Sequence, residues 1–295
     1  MNKKSKRLLG VVLLALGAPV LAGAYYWFTH DITLLSPAGT IADQQRDLMN
    51  IAALLSIIII LPVFFLTAYM AWKYRAGNSK AKHSPNLDHN VFLEAVWWGV
   101  PLIIIVILAV ITWNSSHALD PYKKLESSKK PVTIQVVAME WKWLFIYPEQ
   151  KIATVNFVQF PEDTPVNFQI TADAPMNSFW IPKLGGQVYA MNGMTTKLHL
   201  MADSTGEYPG SSANISGKGF ASMRFTAKST SQRDFDSWVK ANQKGHPALT
   251  FTQYDNLAKP SENNPVTYYA PPDHDLYDKI ISKYMPDHGM TGMGH

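Results

Sequence analysis

Not one of the 295 residues is a cysteine. That absence excludes a disulfide framework and every metal site built on thiolate. A glycine-rich phosphate loop with a Walker lysine-serine pair, an HExxH motif and a Ser-His-Asp order are missing too, so independent nucleotide or hydrolase chemistry has no support. A concentrated basic face is also lacking. The net charge is +4, and much of the excess sits beside apolar segments, at Lys3, Lys4, Lys6, Arg7, Lys73, Arg75, Lys80 and Lys82. This pattern argues against nucleic acid as a partner.

What is present divides between two solvents. Long apolar runs fall before Trp113, whereas the chain after Asp120 alternates apolar and polar residues as a water-soluble domain does. The N-terminus places a basic cluster before an apolar run from Leu8 to Leu21 and the small residues Ala22-Gly23-Ala24. Residues 1–24 therefore read either as a signal peptide cut after Ala24 or as a retained signal-anchor helix, prolonged by Tyr25, Tyr26, Trp27 and Phe28. A periplasmic segment, 25–47, follows.

Leu48–Trp72 and Phe92–Trp113 each supply the roughly 20 apolar residues that cross a bilayer core, and they predict a helix hairpin within 48–119. Each contains a proline, Pro62 or Pro101, which membrane helices tolerate where neighbours satisfy the freed backbone groups. Trp72, Tyr74, Trp97, Trp98 and Trp113 mark the interfaces, and the basic loop between the helices places that loop in the cytoplasm. The chain is thus expected to be a multi-pass protein of a bacterial inner membrane with its C-terminal part in the periplasm.

Beyond Asp120, Val132–Val137, Val166–Ile170, Lys197–Met201 and Met223–Ala227 read as strands separated by turn residues, which predicts an antiparallel sandwich or barrel over 120–230. Ser231–Lys244 reads as a helix, with Phe235, Trp238 and Val239 on one face. Trp141 and Trp143, two apart, would share one face of a strand and pack in the sandwich. Phe179 and Trp180 read as packing as well. The Gly-rich stretch Gly206–Gly219 has no Walker pair.

This order of parts resembles subunit II of the heme-copper respiratory oxidases. The resemblance is carried by Ala71-Trp72-Lys73-Tyr74-Arg75, Glu94-Ala95-Val96-Trp97-Trp98, Glu140-Trp141-Lys142-Trp143 and Asn177-Ser178-Phe179-Trp180-Ile181-Pro182. It implies a membrane-anchored α+β chain: a two-helix transmembrane hairpin, a periplasmic cupredoxin-like antiparallel β-sandwich, and a helical, aromatic-rich C-terminal extension over 231–295. Members that oxidise cytochrome c hold two coppers with a His before a Ser-Phe-Trp turn and a C-x-E-x-C-x3-H-x2-M loop. Laid on that pattern, this sequence has Asn177 and Phe220 at the histidines, Ser212 and Ser216 at the cysteines, Asn214 at the glutamate, and only Met223 in agreement. Serine ionises too weakly to replace thiolate, and phenylalanine has no lone pair.

Such a loss is similar to the ubiquinol-oxidising, cytochrome bo-type branch. There, hemes and a copper belong to subunit I, and no cofactor and no cytochrome c binds this chain. Tyr254, Tyr268, Tyr269, Tyr277 and Tyr284 resemble that branch's aromatic extension. The implied partners are subunit I, the other small subunits, membrane lipid and, for the complex as a whole, ubiquinol. The alternative is a membrane-tethered cupredoxin-like binding or assembly protein.

Glu94 stands at the cytoplasmic start of the second helix, where a carboxylate is costly. From the residues alone it is either a proton-handling group or an interfacial carboxylate touching water. The resemblance implies the entrance of the proton path called the K-channel. Of the nine histidines, His83, His89 and His117 read as interfacial. His274, His288, Met290, Met293 and His295 form either a solvated tail or a weak copper(I) site. Ala24 stands where related precursors carry a lipid-modified cysteine, and alanine cannot form that thioether.

Overall fold

The computed structural model describes residues 18, 22, 23, 25, 26, 29, 32–79, 81 and 89–285. The expected cleavage site after Ala24, the loop residues Lys80, Lys82 and His83, and the tail residues His288, Met290, Met293 and His295 lie outside these.

Two helices, α1 (Thr40–Lys73) and α2 (Val91–Ala118), form the hairpin. Most of their apolar side chains lack protein cover: Phe64 is 71 % and Trp98 75 % exposed. Apolar surface left so open requires lipid or a partner. α1 is 34 residues long, about 51 Å at 1.5 Å per residue, well beyond the roughly 30 Å hydrocarbon core. It starts at Thr40 rather than near Leu48 because its polar first turns stand above the bilayer and dock on the β-domain. At the other end, the Arg75 guanidinium lies 5.5 Å from the Trp72 ring centroid, an interfacial anchor.

The docking is made mainly by backbone. Ala38 N–H donates to the Lys183 carbonyl at 2.8 Å, Ala42 N–H to that of Leu184 at 3.2 Å, and Asp203 N–H to that of Ala38 at 3.0 Å. The Thr40 hydroxyl adds a bond to Asp203 at 2.8 Å. Gly39 is required at this joint, since a Cβ there would lie 2.5 Å from the Met201 carbonyl oxygen. α2 is tied in through Pro121, whose carbonyl oxygen lies 2.9 Å from His199 Nδ1.

The β-domain is a sandwich. One sheet holds β1 (Val132–Met139), β2 (Lys142–Tyr147), β3 (Ile152–Val155), β5 (Val166–Ala172), β8 (Thr196–Leu200) and β11 (Thr267–Tyr269) in the order β11-β3-β2-β1-β5-β8. The other holds β4 (Phe157–Pro161), β6 (Asn177–Trp180), β7 (Val188–Ala190), β9 (Gly206–Ser212) and β10 (Arg224–Thr230) in the order β4-β10-β9-β6-β7. The expectation of an antiparallel sandwich needs one correction: β1 pairs with β5, and β4 with β10, in parallel. Between β1 and β5 the chain crosses to the second sheet to form β4, and such a crossover lets β5 return in the same direction as β1.

Between the sheets, Phe145, Phe168, Phe179, Phe225 and Trp143 form a fully packed aromatic centre, with Phe179 stacked on Phe225 at 5.1 Å. The outer face of the first sheet is also buried. Val137, Met139, Leu144 and Ile146 pack under Leu249, Tyr254, Leu276 and Ile280 of the C-terminal extension. That extension carries α3 (Gln232–Asn242), α4 (Phe251–Leu257) and α5 (Leu276–Ser282). It is pinned by Lys142, whose buried ammonium donates to the carbonyls of Leu257 and Lys259 at 2.7 Å and to the Ser261 hydroxyl at 2.6 Å. Burial pushes this ammonium below the ordinary lysine range, with Glu140 opposing.

Trp141 is a second correction. It sits in the Glu140–Trp141 turn between β1 and β2 with φ 63°, so it shares no strand face with Trp143. Its ring covers Gly219, where a Cβ would come within 2.3 Å of it. Its indole N–H donates to the Ser216 carbonyl at 3.3 Å. These contacts offset the roughly 1–2 kcal/mol that a left-handed conformation costs a residue with a side chain.

Candidate functional site

Three segments of the second sheet converge on one corner. β6 supplies Asn177, the end of β9 supplies Ser212, and the connection onward carries Asn214, Ser216, Phe220 in a short 3-10 turn, and Met223. The fold thus places at one corner residues from the set that the sequence resemblance compares with copper ligands.

Their chemistry is now that of a neutral hydrogen-bonded knot. The Ser212 hydroxyl lies 3.0 Å from Asn177 Oδ1 and 3.2 Å from the Asn214 carbonyl oxygen. The Asn177 amide donates to the Pro175 carbonyl at 2.6 Å, and that of Asn214 to the Met176 carbonyl at 2.8 Å. Ser212 N–H reaches back to the Met223 carbonyl at 3.2 Å, stitching the loop shut. Asn177 and Met223 are each 1 % exposed. Phe220 lies over a pocket of about 480 Å³ shared with Trp180, Pro182 and Arg224. Soft thiolate and thioether ligands, with imidazole, hold copper, and the corner offers amides, hydroxyls and a single thioether. Among the described residues no group of three or more His, Asp or Glu could hold a metal ion.

Glu94 lies elsewhere, in the first turn of α2. The Asn90 side chain caps the helix by accepting from Leu93 N–H at 3.0 Å. Glu94 Oε1 accepts from Asn90 N–H at 3.3 Å and lies 2.5 Å from His89 Nδ1. Its side chain is 33 % exposed. The remaining turns of α2 separate it from the β-domain by roughly 36 Å at 1.5 Å per residue, so the two sites are independent.

Sequence reasoning missed a third cluster. Asp173, between β5 and β6, accepts from Tyr254 at 2.5 Å, Tyr284 at 2.6 Å and Lys283 at 3.0 Å. Burial disfavours its charge, but these three donors outweigh burial and hold its carboxyl below the usual range. Burial and then the Asp173 bond push the Tyr254 phenol far up, and Tyr284 to about 12. No local signal could have found this cluster, because the partners stand 81 to 111 residues away.

A two-helix anchor carrying a cupredoxin-like sandwich, with a corner that offers neither thiolate nor imidazole, defines the class: an oxidase subunit II. The family described as Cytochrome C oxidase subunit II, transmembrane domain, matches residues 29–114, and its periplasmic-domain counterpart matches 147–230. The COX Aromatic Rich Motif matches 243–288. The chain is 50 % identical over 283 residues to cytochrome bo(3) ubiquinol oxidase subunit 2 of Pseudomonas putida, covering 96 % of this chain and 88 % of that one. The Pseudomonas aeruginosa counterpart is also 50 % identical, over 90 % of this chain and 80 % of its own length. Quinol oxidase subunit 2 of Bacillus cereus is 39 % identical over 80 % of this chain and 82 % of its own length. The chain belongs to the family of the cytochrome bo-type ubiquinol oxidase subunits II, within the heme-copper oxidases.

Proposed function

We propose that this chain serves as the non-redox subunit II of an enzyme that oxidises ubiquinol, reduces dioxygen to water and translocates protons. We propose further that Glu94 takes up protons from the cytoplasm at the entrance of the K-channel leading into subunit I. The observation that carries the first reading is the Asn177–Ser212–Asn214 knot. Its polar groups spend their hydrogen bonds on one another and on the Pro175 and Met176 carbonyls and supply no thiolate or imidazole, so electrons have no stopping point in the sandwich. They must pass from ubiquinol to the hemes and copper of subunit I by another route, and cytochrome c has no docking acceptor here. The relatives named as ubiquinol oxidase subunits support that choice of donor.

The chain sits in the bacterial inner membrane, with Lys73 and Arg75 in the cytoplasm and the sandwich in the periplasm. Subunit I, the other small subunits and lipid cover α1 and α2. A complex purified through a tag on this chain is expected to oxidise ubiquinol and not reduced cytochrome c; comparable rates with both donors would contradict the first reading. Glu94→Gln and Glu94→Ala should slow turnover roughly tenfold or more at unchanged heme content. Wild-type rates in both would remove the proton role.

A further inference from the structure

Resting on the reading of Glu94 as a proton-uptake group, we propose that His89 is the residue that loads it, collecting protons from cytoplasmic water and passing them to the Glu94 carboxylate. Three observations carry this. His89 Nδ1 lies 2.5 Å from Glu94 Oε1, closer than an ordinary surface ion pair needs to be. The His89 side chain is 70 % exposed, against 33 % for Glu94, so the ring is the more water-accessible of the pair. The same Oε1 also accepts from Asn90 N–H at 3.3 Å, which fixes the carboxylate toward the ring. Among the described residues, His89 and the Asn90 amide are the recorded polar partners of Glu94.

The chemistry favours this order of transfer. An imidazole can take a proton on one ring nitrogen while giving one up from the other, which a carboxylate cannot do. The exposed ring therefore gives a proton from cytoplasmic water a point of entry beside the carboxylate. In the step itself, hydronium protonates Nε2 of the neutral Nδ1–H ring. The Nδ1 proton then passes to Oε1, leaving a neutral ring with its hydrogen on Nε2 and a protonated Glu94. Exchange with water at the exposed edge resets the tautomer. His89 does not meet the reacting oxygen or quinol; it acts through Glu94.

The test uses the whole oxidase complex with His89→Ala, His89→Asn and Glu94→Gln, each checked for heme content. Asparagine keeps an N–H near the Nδ1 position but cannot relay a proton, which separates holding the carboxylate from loading it. Both His89 variants should slow turnover roughly tenfold at pH 8 and much less at pH 6, with added imidazole restoring His89→Ala. Glu94→Gln should be slow at every pH and unresponsive to imidazole. If Glu94→Gln is slow while His89→Asn runs at the wild-type rate from pH 6 to 9, or imidazole fails to rescue His89→Ala, the relay is wrong and the role of Glu94 stands. If Glu94→Gln itself turns over normally, both fall together.

Discussion

Asp173 shows what one buried charge can organise. Its side chain is 7 % exposed, and two phenols and an ammonium from the C-terminal extension converge on it. Truncating it to alanine leaves the Tyr254 and Tyr284 hydroxyls without their carboxylate acceptor and Lys283 with only Asp255 at 3.4 Å, and breaking a buried charged partnership of this kind costs about 2–4 kcal/mol. Asp173→Ala should therefore speed amide hydrogen exchange across Leu276–Ser282 well before the rest of the sandwich is affected; unchanged protection there would contradict the latch. The pH dependence has a definite sign. The Asp173 carboxyl is depressed in the folded chain, so its contribution is present above the ordinary carboxyl range near pH 4 and is lost as pH falls through its lower folded value. Tyr284 is raised to about 12, so its contribution is present below about pH 10 and is lost as pH climbs toward 12. Exchange in α5 should be flat, once corrected for intrinsic rate, from roughly pH 5 to 9.

At the scale of elements, the joint between α1 and the sandwich is the least forgiving contact. Gly39→Ala would push a methyl group against the Met201 carbonyl oxygen and the Leu184 backbone, neither of which can swing aside as a side chain would. The expected cost is about 1–3 kcal/mol, seen as faster proteolysis near residues 32–40 in the purified complex; wild-type resistance would show that the joint yields. Elements with one wet face were legible in the sequence. β5 alternates in burial over its first residues, and the pattern Val166–Ile170 announces it. β2 gave no such signal because α4 and α5 cover its outer face, leaving all six residues of Lys142–Tyr147 buried. The turn at Trp141 was misread as strand because its left-handed backbone is held by Gly219 and Ser216, more than seventy residues on. The corner residues could be singled out together because most lie within one short stretch, Ser212 to Met223. Asp173 could not, since long-range folding alone supplies its partners.

Over the whole molecule, Glu94 stands in the first turn of α2, and the Asn177–Ser212–Asn214 corner belongs to the β-domain that follows the helix's other end. From Glu94 to that end is roughly 36 Å at 1.5 Å per residue. The sandwich has a packed aromatic core, and at its corner Ser212, Asn177 and Asn214 are held in hydrogen bonds with one another and with the Pro175 and Met176 carbonyls. Loading the full-length chain with excess copper, removing loosely held ions by chelation and recording the electron paramagnetic resonance spectrum addresses this most directly. We expect no mixed-valence dinuclear signal and no tightly retained pair of copper ions; two coppers per chain with that spectrum would contradict the account.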